Sequence, residues 1–231
     1  MQDTNWELIG GQVAEHIEFL NYTNQINVLE GLIFFLLAHR GPIGNGNPPM
    51  PDEAMLCHLH HAGTLFLLAD PGQYRNMEVH VTKGDEVVHT PPVWPHVKGA
   101  MQNFFRELSS VWTSGDALDV ASYALWRINW VHPFRNGNGR TARAFAYACL
   151  SLRIGAVLPG RVTVIDLIMA ERDQYEAALR AADEGWKEKY VPNLTPMKEL
   201  LNDLLQRQID SAQPSEGPPS AGTYGKGEGE T

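Results

Sequence analysis

Cysteine is nearly absent: Cys57 and Cys149 are the only two in 231 residues, both in apolar helical contexts. A disulfide framework is therefore excluded as the source of stability. Long apolar runs are missing as well. The longest, residues 32–38, falls well short of the about 20 residues needed to span a bilayer. Residues 1–7 carry neither the basic stretch nor the apolar core of a secretory signal. Basic clusters are also lacking. Lys and Arg number 18 against 27 Asp and Glu, for a net charge of −9. An acidic chain without a basic patch argues against nucleic acid as the main partner. No internal repeat is visible. The expectation is a soluble, cytoplasmic chain, with 43% hydrophobic residues supplying one sizeable core.

What is present is mostly helical periodicity. Residues 7–20 and 25–39 read as two helices, ended by a Gly- and Pro-rich loop over 41–51. Asp52 is placed to cap a helix over 52–68, with Glu53 in its first turn and Pro71-Gly72 as its stop. The period then falls to two. Residues 77–82 and 86–89 flank Lys83-Gly84-Asp85, the pattern of a short β-hairpin whose open edge suits an incoming peptide. Helical patterns resume at 95–110, 115–131 and 140–153. One or two helices fill 162–182, and another covers 196–208. The tail from 211 is rich in Gly, Pro and Ser, the composition of a disordered segment. The fold class is all-α, a helical bundle with one small β-hairpin. Three parts are expected: N-terminal helices and loop over 1–50, a main domain over 51–208, and a disordered tail over 209–231.

Chemistry concentrates in His132-Pro133-Phe134-Arg135-Asn136-Gly137-Asn138-Gly139-Arg140-Thr141-Ala142-Arg143. A Gly-rich turn opening a helix aims free backbone N–H groups and the positive end of the helix dipole at one point. That is an anion site, with phosphate the usual occupant. Arg140 and Arg143 stand three apart, so they are expected to project from one face toward the same anion. His132 titrates near neutral pH just outside the turn, a proton acceptor beside a phosphate cradle. Phe134 is expected to point into the core, and Arg135 is given no role. His58, His60 and His61 tempt a metal reading. No Cys, Asp or Glu completes a ligand set nearby, and they read instead as a half-buried helix face.

This stretch resembles the signature of the Fic (Fic/Doc, or Fido) family, HPFx[D/E]GNGRxxR, at every fixed position except Asn136, where the family most often has Asp or Glu. Gly72-Gln73-Tyr74-Arg75, Pro91-Pro92 and residues 174–183 resemble, in order, the segment before the family's flap, the flap exit and the closing helix. The resemblance implies a protein adenylyltransferase that moves AMP from ATP, with Mg²⁺, onto a Ser, Thr or Tyr hydroxyl of a target protein. It implies His132 as the base, the turn of Gly137, Asn138 and Gly139 with Arg140 and Arg143 on the phosphates, and Asn136 at the metal position. A neutral amide there implies weakened metal binding. The flap, with Val79, His80 and Val81 and the apolar Val87, would pair with the target. His80 and His89 are expected to face solvent. The family's inhibitory helix has its nearest match at residues 26–31, where Glu30 would neutralise Arg143. The competing reading puts Glu30 on the solvated face of a core helix, and a separate antitoxin chain is a further option. Alternatives to adenylylation are transfer of another phosphate-containing group, or a nucleotide- or partner-binding module that has lost turnover.

Overall fold

The computed structural model describes residues 7–40 and 49–212, apart from the side chains of residues 39 and 40. Residues 1–6, 41–48 and 213–231, including most of the tail expected to be disordered, lie outside the described residues. Two helices form the centre. α4 (Ala117–Val131) starts at a capping box in which Asp116 and Asp119 each accept the other's backbone N–H, which satisfies donors that a helix start otherwise orphans. Val120, Ala121, Ala124, Leu125 and Ile128 on this helix are all buried. α5 (Asn138–Ile154) is apolar all round from Ala144 to Leu150 and buried along that length, as a central helix must be. Its alanines let α4 pack closely against it.

The other helices cover this pair. α3 (Val97–Ser114) turns Val97, Met101, Phe104, Leu108 and Trp112 inward at helical spacing. α2 (Glu53–Thr64) begins where Asp52 accepts the Met55 N–H at 3.0 Å. The helical stretch over 162–182 divides at Glu171 into α6 (Val164–Ala170) and α7 (Arg172–Lys189). α8 (Thr195–Asp210) closes the bundle. Its buried Gln208 accepts the Val164 N–H at 2.7 Å and donates to the Tyr147 hydroxyl at 2.8 Å.

Two expectations are corrected. The helices expected over 7–20 and 25–39 are one helix, α1 (Gly11–Arg40), of 30 residues, about 45 Å long. The polar stretch that reads as a break is absorbed. Asn21 is buried and donates to the Leu65 carbonyl at 2.8 Å, and the Thr23 hydroxyl back-bonds to Phe19 within the helix. Asn21, Gln25, Leu29 and Ile33, four apart, form the buried stripe. The hairpin is also shorter than its pattern. β1 (Val81–Lys83) and β2 (Glu86–His89) pair antiparallel, with an irregularity between Val81 and Thr82 and Gly84 at positive φ in the turn. Val79 and His80 therefore precede the strand rather than belong to it. Among the described residues no helix is long and apolar enough to cross a membrane.

Candidate active site

The polypeptide leaves α4 at His132, which adopts the left-handed conformation (φ 51°, ψ 59°). A non-glycine residue there carries about 1 kcal/mol or more of strain that its surroundings must hold. The loop that follows is pinned from inside. Phe134 is fully buried, and the Asn138 side chain accepts the Phe134 N–H and donates to the Phe134 carbonyl, both at 2.8 Å. The Asn138 amide is thus a loop staple, and only its backbone N–H is left for an anion. Gly137 caps α5 with φ 75°. The first intrahelical bond here runs from Thr141 N–H to the Gly137 carbonyl, so the preceding N–H groups of the helix start have no partner within the helix.

Gly137 is sterically obligatory. A Cβ there would lie 2.7 Å from Thr64 Cγ2 and close to the His60 ring, on backbone that side chains rarely adopt. Gly137→Ala is expected to cost about 2 kcal/mol through strain and overpacking, read as a lower urea midpoint at unchanged m-value. A Cβ at Gly139 would meet Arg143 Nη1 at 3.4 Å and Asn129 Oδ1 at 3.8 Å.

His60 is the residue that sequence reasoning passed over. Of the three histidines on α2, His58 and His61 are exposed and His60 is buried, so the half-buried face expected of them fails at the central one. His60 accepts the Gly72 N–H at Nδ1 (2.7 Å) and faces the Asn136 carbonyl with Nε2 (2.9 Å). These partners fix the neutral tautomer with the proton on Nε2. Its ring stacks on Phe134 with centroids 3.7 Å apart. Burial first, then the positive charge of Arg140, pushes its pKa down to about 4. The only sequence signal was a histidine in a helix position spaced with the apolar residues.

The two arginines part company. Arg140 donates to the Gly63 carbonyl and to Glu18 on α1, 3.0 Å away. It lines a small cavity with Glu7, Asn136 and Gly137. Arg143 turns to the other side, where its buried Nε has no hydrogen-bond partner. Among the described residues no carboxylate lies within ion-pair distance of it. Arg143 and His132 open together on a groove of about 520 Å³ between the hairpin and α4, α6 and α7. A shared anion for both arginines, expected from their spacing, is therefore not prearranged. Glu30 is exposed on α1 and forms no ion pair with Arg143. Of Arg140 and Arg143, the one that a carboxylate does reach is Arg140, through Glu18, while Asp70 pairs with Arg135 at 3.3 Å.

In the groove, the His132 ring makes a hydrogen bond to the Asn129 backbone. Burial, with His89 and Arg75 adding, pushes its pKa down to about 4. It is neutral at physiological pH, as a proton acceptor must be. Lys83 at the hairpin tip pairs with Glu176 at 2.9 Å, and Arg172 pairs with the same carboxylate at 2.8 Å. His80 is exposed as expected. His89 is not: it bonds the Trp130 carbonyl at 2.8 Å and stands 3.8 Å from Asp183. Behind it Trp126, Trp130 and Trp186 converge on Arg127, with ring centroids 4.5–5.3 Å from its guanidinium carbon.

A magnesium ion finds an incomplete set of protein ligands. Asn136 Oδ1 accepts the Gly137 N–H at 2.7 Å, and its Nδ2 faces Glu7 at 3.4 Å. The amide thus presents donors outward, and among the described residues no group of three or more His, Cys, Asp or Glu is gathered to hold a metal.

Residues 51–150 match the model of the Fic/DOC family. That stretch, under half of the chain, is similar to the Fic/DOC family. The protein adenylyltransferase Fic of Drosophila persimilis is 27% identical over 143 residues, covering 60% of this chain and 24% of that protein, and the Drosophila ananassae relative matches to the same extent. The aligned stretch thus spans about a quarter of the length of these relatives. Among solved structures, Fic-1 from C. elegans superimposes with a TM-score of 0.61 at 20% identity, covering 90% of this chain and 54% of that one. A Fic-domain signalling protein from Bacteroides thetaiotaomicron gives a TM-score of 0.62 at 16% identity, covering 88% and 72%. These likenesses show the Fic fold, an all-α bundle with a two-stranded hairpin beside the motif loop.

Proposed function

We propose that this protein is a protein adenylyltransferase, which moves AMP from ATP to a Ser, Thr or Tyr hydroxyl of a target protein. The observation that carries the reading is the groove lined together by a neutral His132 and by Arg143, whose buried Nε has no hydrogen-bond partner. The name of the Drosophila relatives, protein adenylyltransferase, supplies the group transferred. The free N–H groups at the start of α5 and Arg143 hold the phosphates, and Arg140 joins them when it leaves Glu18. A target hydroxyl lying along the hairpin gives its proton to His132 as its oxygen bonds to the α-phosphorus. The bond from the α-phosphorus to the oxygen bridging to the β-phosphate breaks, and pyrophosphate leaves. Mg²⁺ would neutralise phosphate charge, but Asn136 and its neighbours do not form a site that holds the ion by themselves, so no step depends on it.

The test is intact-mass spectrometry of the protein incubated with ATP and Mg²⁺, alone and with candidate target proteins. An adduct of one AMP, absent from His132→Ala, supports transfer. Stabilisation by ATP with no adduct on any protein moves the reading to a nucleotide-binding module. Glu18 acts as a self-restraint in this reading, because its carboxylate occupies an arginine that a phosphate would otherwise engage. Glu18→Gln is expected to tighten ATP binding about five- to tenfold, measured by titration calorimetry. Equal affinity in the two proteins would leave Glu18 as a surface ion pair.

A further inference from the structure

The side chain of Arg75 is wholly shielded from solvent and is spent almost entirely on backbone carbonyls. Nε donates to His132 at 2.8 Å, Nη1 to Met77 at 3.1 Å, and Nη2 to Pro92 at 2.5 Å, with Val131 at 3.5 Å. The Arg75 backbone N–H adds the Pro133 carbonyl at 2.8 Å. Among the described residues the one carboxylate in ion-pair distance is the half-exposed Glu78, 3.8 Å from Nη1, whose other oxygen accepts the Trp94 N–H at 3.3 Å.

These acceptors are not a random set. Val131 and His132 end α4, where carbonyls have no partner within the helix and the dipole is negative. Met77 leads into the hairpin and Pro92 leads out of it. We infer that Arg75 is a positioning residue for this site, whose single guanidinium fixes the backbone of His132 and both roots of the hairpin as one unit. The inference rests on the transfer reading above. In that reaction the imidazole and a hydroxyl held along the hairpin must meet within hydrogen-bond distance, and a small misplacement is costly in rate. The strained left-handed conformation of His132 gives the contact something to hold, since its carbonyl is the acceptor of Nε. A lysine cannot replace this arrangement, because one ammonium cannot reach carbonyls that diverge around a planar fork.

The experiment compares the full chain with its Arg75→Lys variant, which keeps the charge. The variant is expected to keep its helical signal and to bind ATP within threefold of the wild type, since Gly137, Arg140 and Arg143 do not touch Arg75. The transfer rate should fall at least tenfold at unchanged KM for ATP, with a raised KM for the target protein. Independently of activity, amide exchange over residues 81–89 should accelerate and the His132 imidazole NMR signal should shift. Full rate, unchanged exchange and an unmoved His132 signal in the folded variant would overturn the inference. If Arg75→Lys does not fold, Glu78→Gln serves instead: it perturbs only the exposed side of the same cluster and should speed exchange at residues 81–89 about two- to threefold. No change there would overturn the inference as well. A wild-type protein without transfer activity would defeat the transfer reading alone, with exchange and the His132 signal still deciding the role of Arg75.

Discussion

His132→Ala should lower AMP transfer by about 10²–10⁴-fold, the range a positioned general base contributes, while leaving ATP binding nearly intact. The separation follows from the geometry. In the proposed reaction the phosphates would be held by the helix-start N–H donors and Arg143, and none of these depends on the imidazole. The loop keeps its staple, because Asn138 holds Phe134 through backbone atoms. Alanine carries a Cβ as histidine does, so the left-handed backbone strain is similar in the two and the fold should persist. The pH profile sharpens the test. Burial, with His89 and Arg75 adding, holds His132 at about 4, so its acceptor form dominates throughout the neutral range. The rate should stay flat from pH 8 down to about pH 5, where an ordinary imidazole would already have lost most of its acceptor form. Intact-mass time courses across that range, with melting checked at each pH, give the measurement. A rate in His132→Ala within threefold of the wild type would remove the base from the mechanism, and a midpoint near 6.5 would remove its burial.

Much of the fold was legible because the signals were local. Asp52 caps a helix, Gly137 sits where a turn needs positive φ, and the alternation over 86–89 gives a strand. Phe134 reads as a core anchor and is fully buried. The misses share a cause, which is a partner distant in sequence. Helical spacing put Arg140 and Arg143 on one face toward a shared anion, but it could not show that Glu18, 122 residues away, draws Arg140 aside while Arg143 lines a different groove. Asn21 reads as a break until Leu65 supplies its acceptor. His89 reads as solvent-facing until Trp130 and Asp183 surround it. Tryptophans scattered in sequence become one cluster only when α4 and α7 meet around Arg127. The site was thus visible as a motif, while its division into a restrained Arg140 side and an open Arg143 side was not.

His60 carries the second large effect, on stability against acid. It is 1% exposed, and both ring nitrogens are engaged in the neutral form. Protonation would put a proton on Nδ1, where the Gly72 N–H already points, and a charge beside Arg140. Its pKa is about 4 in the folded protein and about 6.5 in the unfolded chain. Between those values the unfolded state binds more protons, so stability rises with pH there. The contribution is complete above pH 6.5 and lost as pH falls toward 4. The gap corresponds to about 3 kcal/mol at about 1.4 kcal/mol per pH unit, a large share of a typical domain's stability. His60→Gln keeps a donor and an acceptor but does not titrate. It should be somewhat less stable at pH 7, through poorer stacking on Phe134, yet lose about 2–3 kcal/mol less than the wild type on going to pH 4.5. Other groups titrate in both proteins and cancel in the comparison. Urea unfolding at the two pH values measures it. Parallel losses in the two proteins would mean that the buried imidazole is accommodated as a cation, and that the link from α2 to the motif loop is looser than its hydrogen bonds imply.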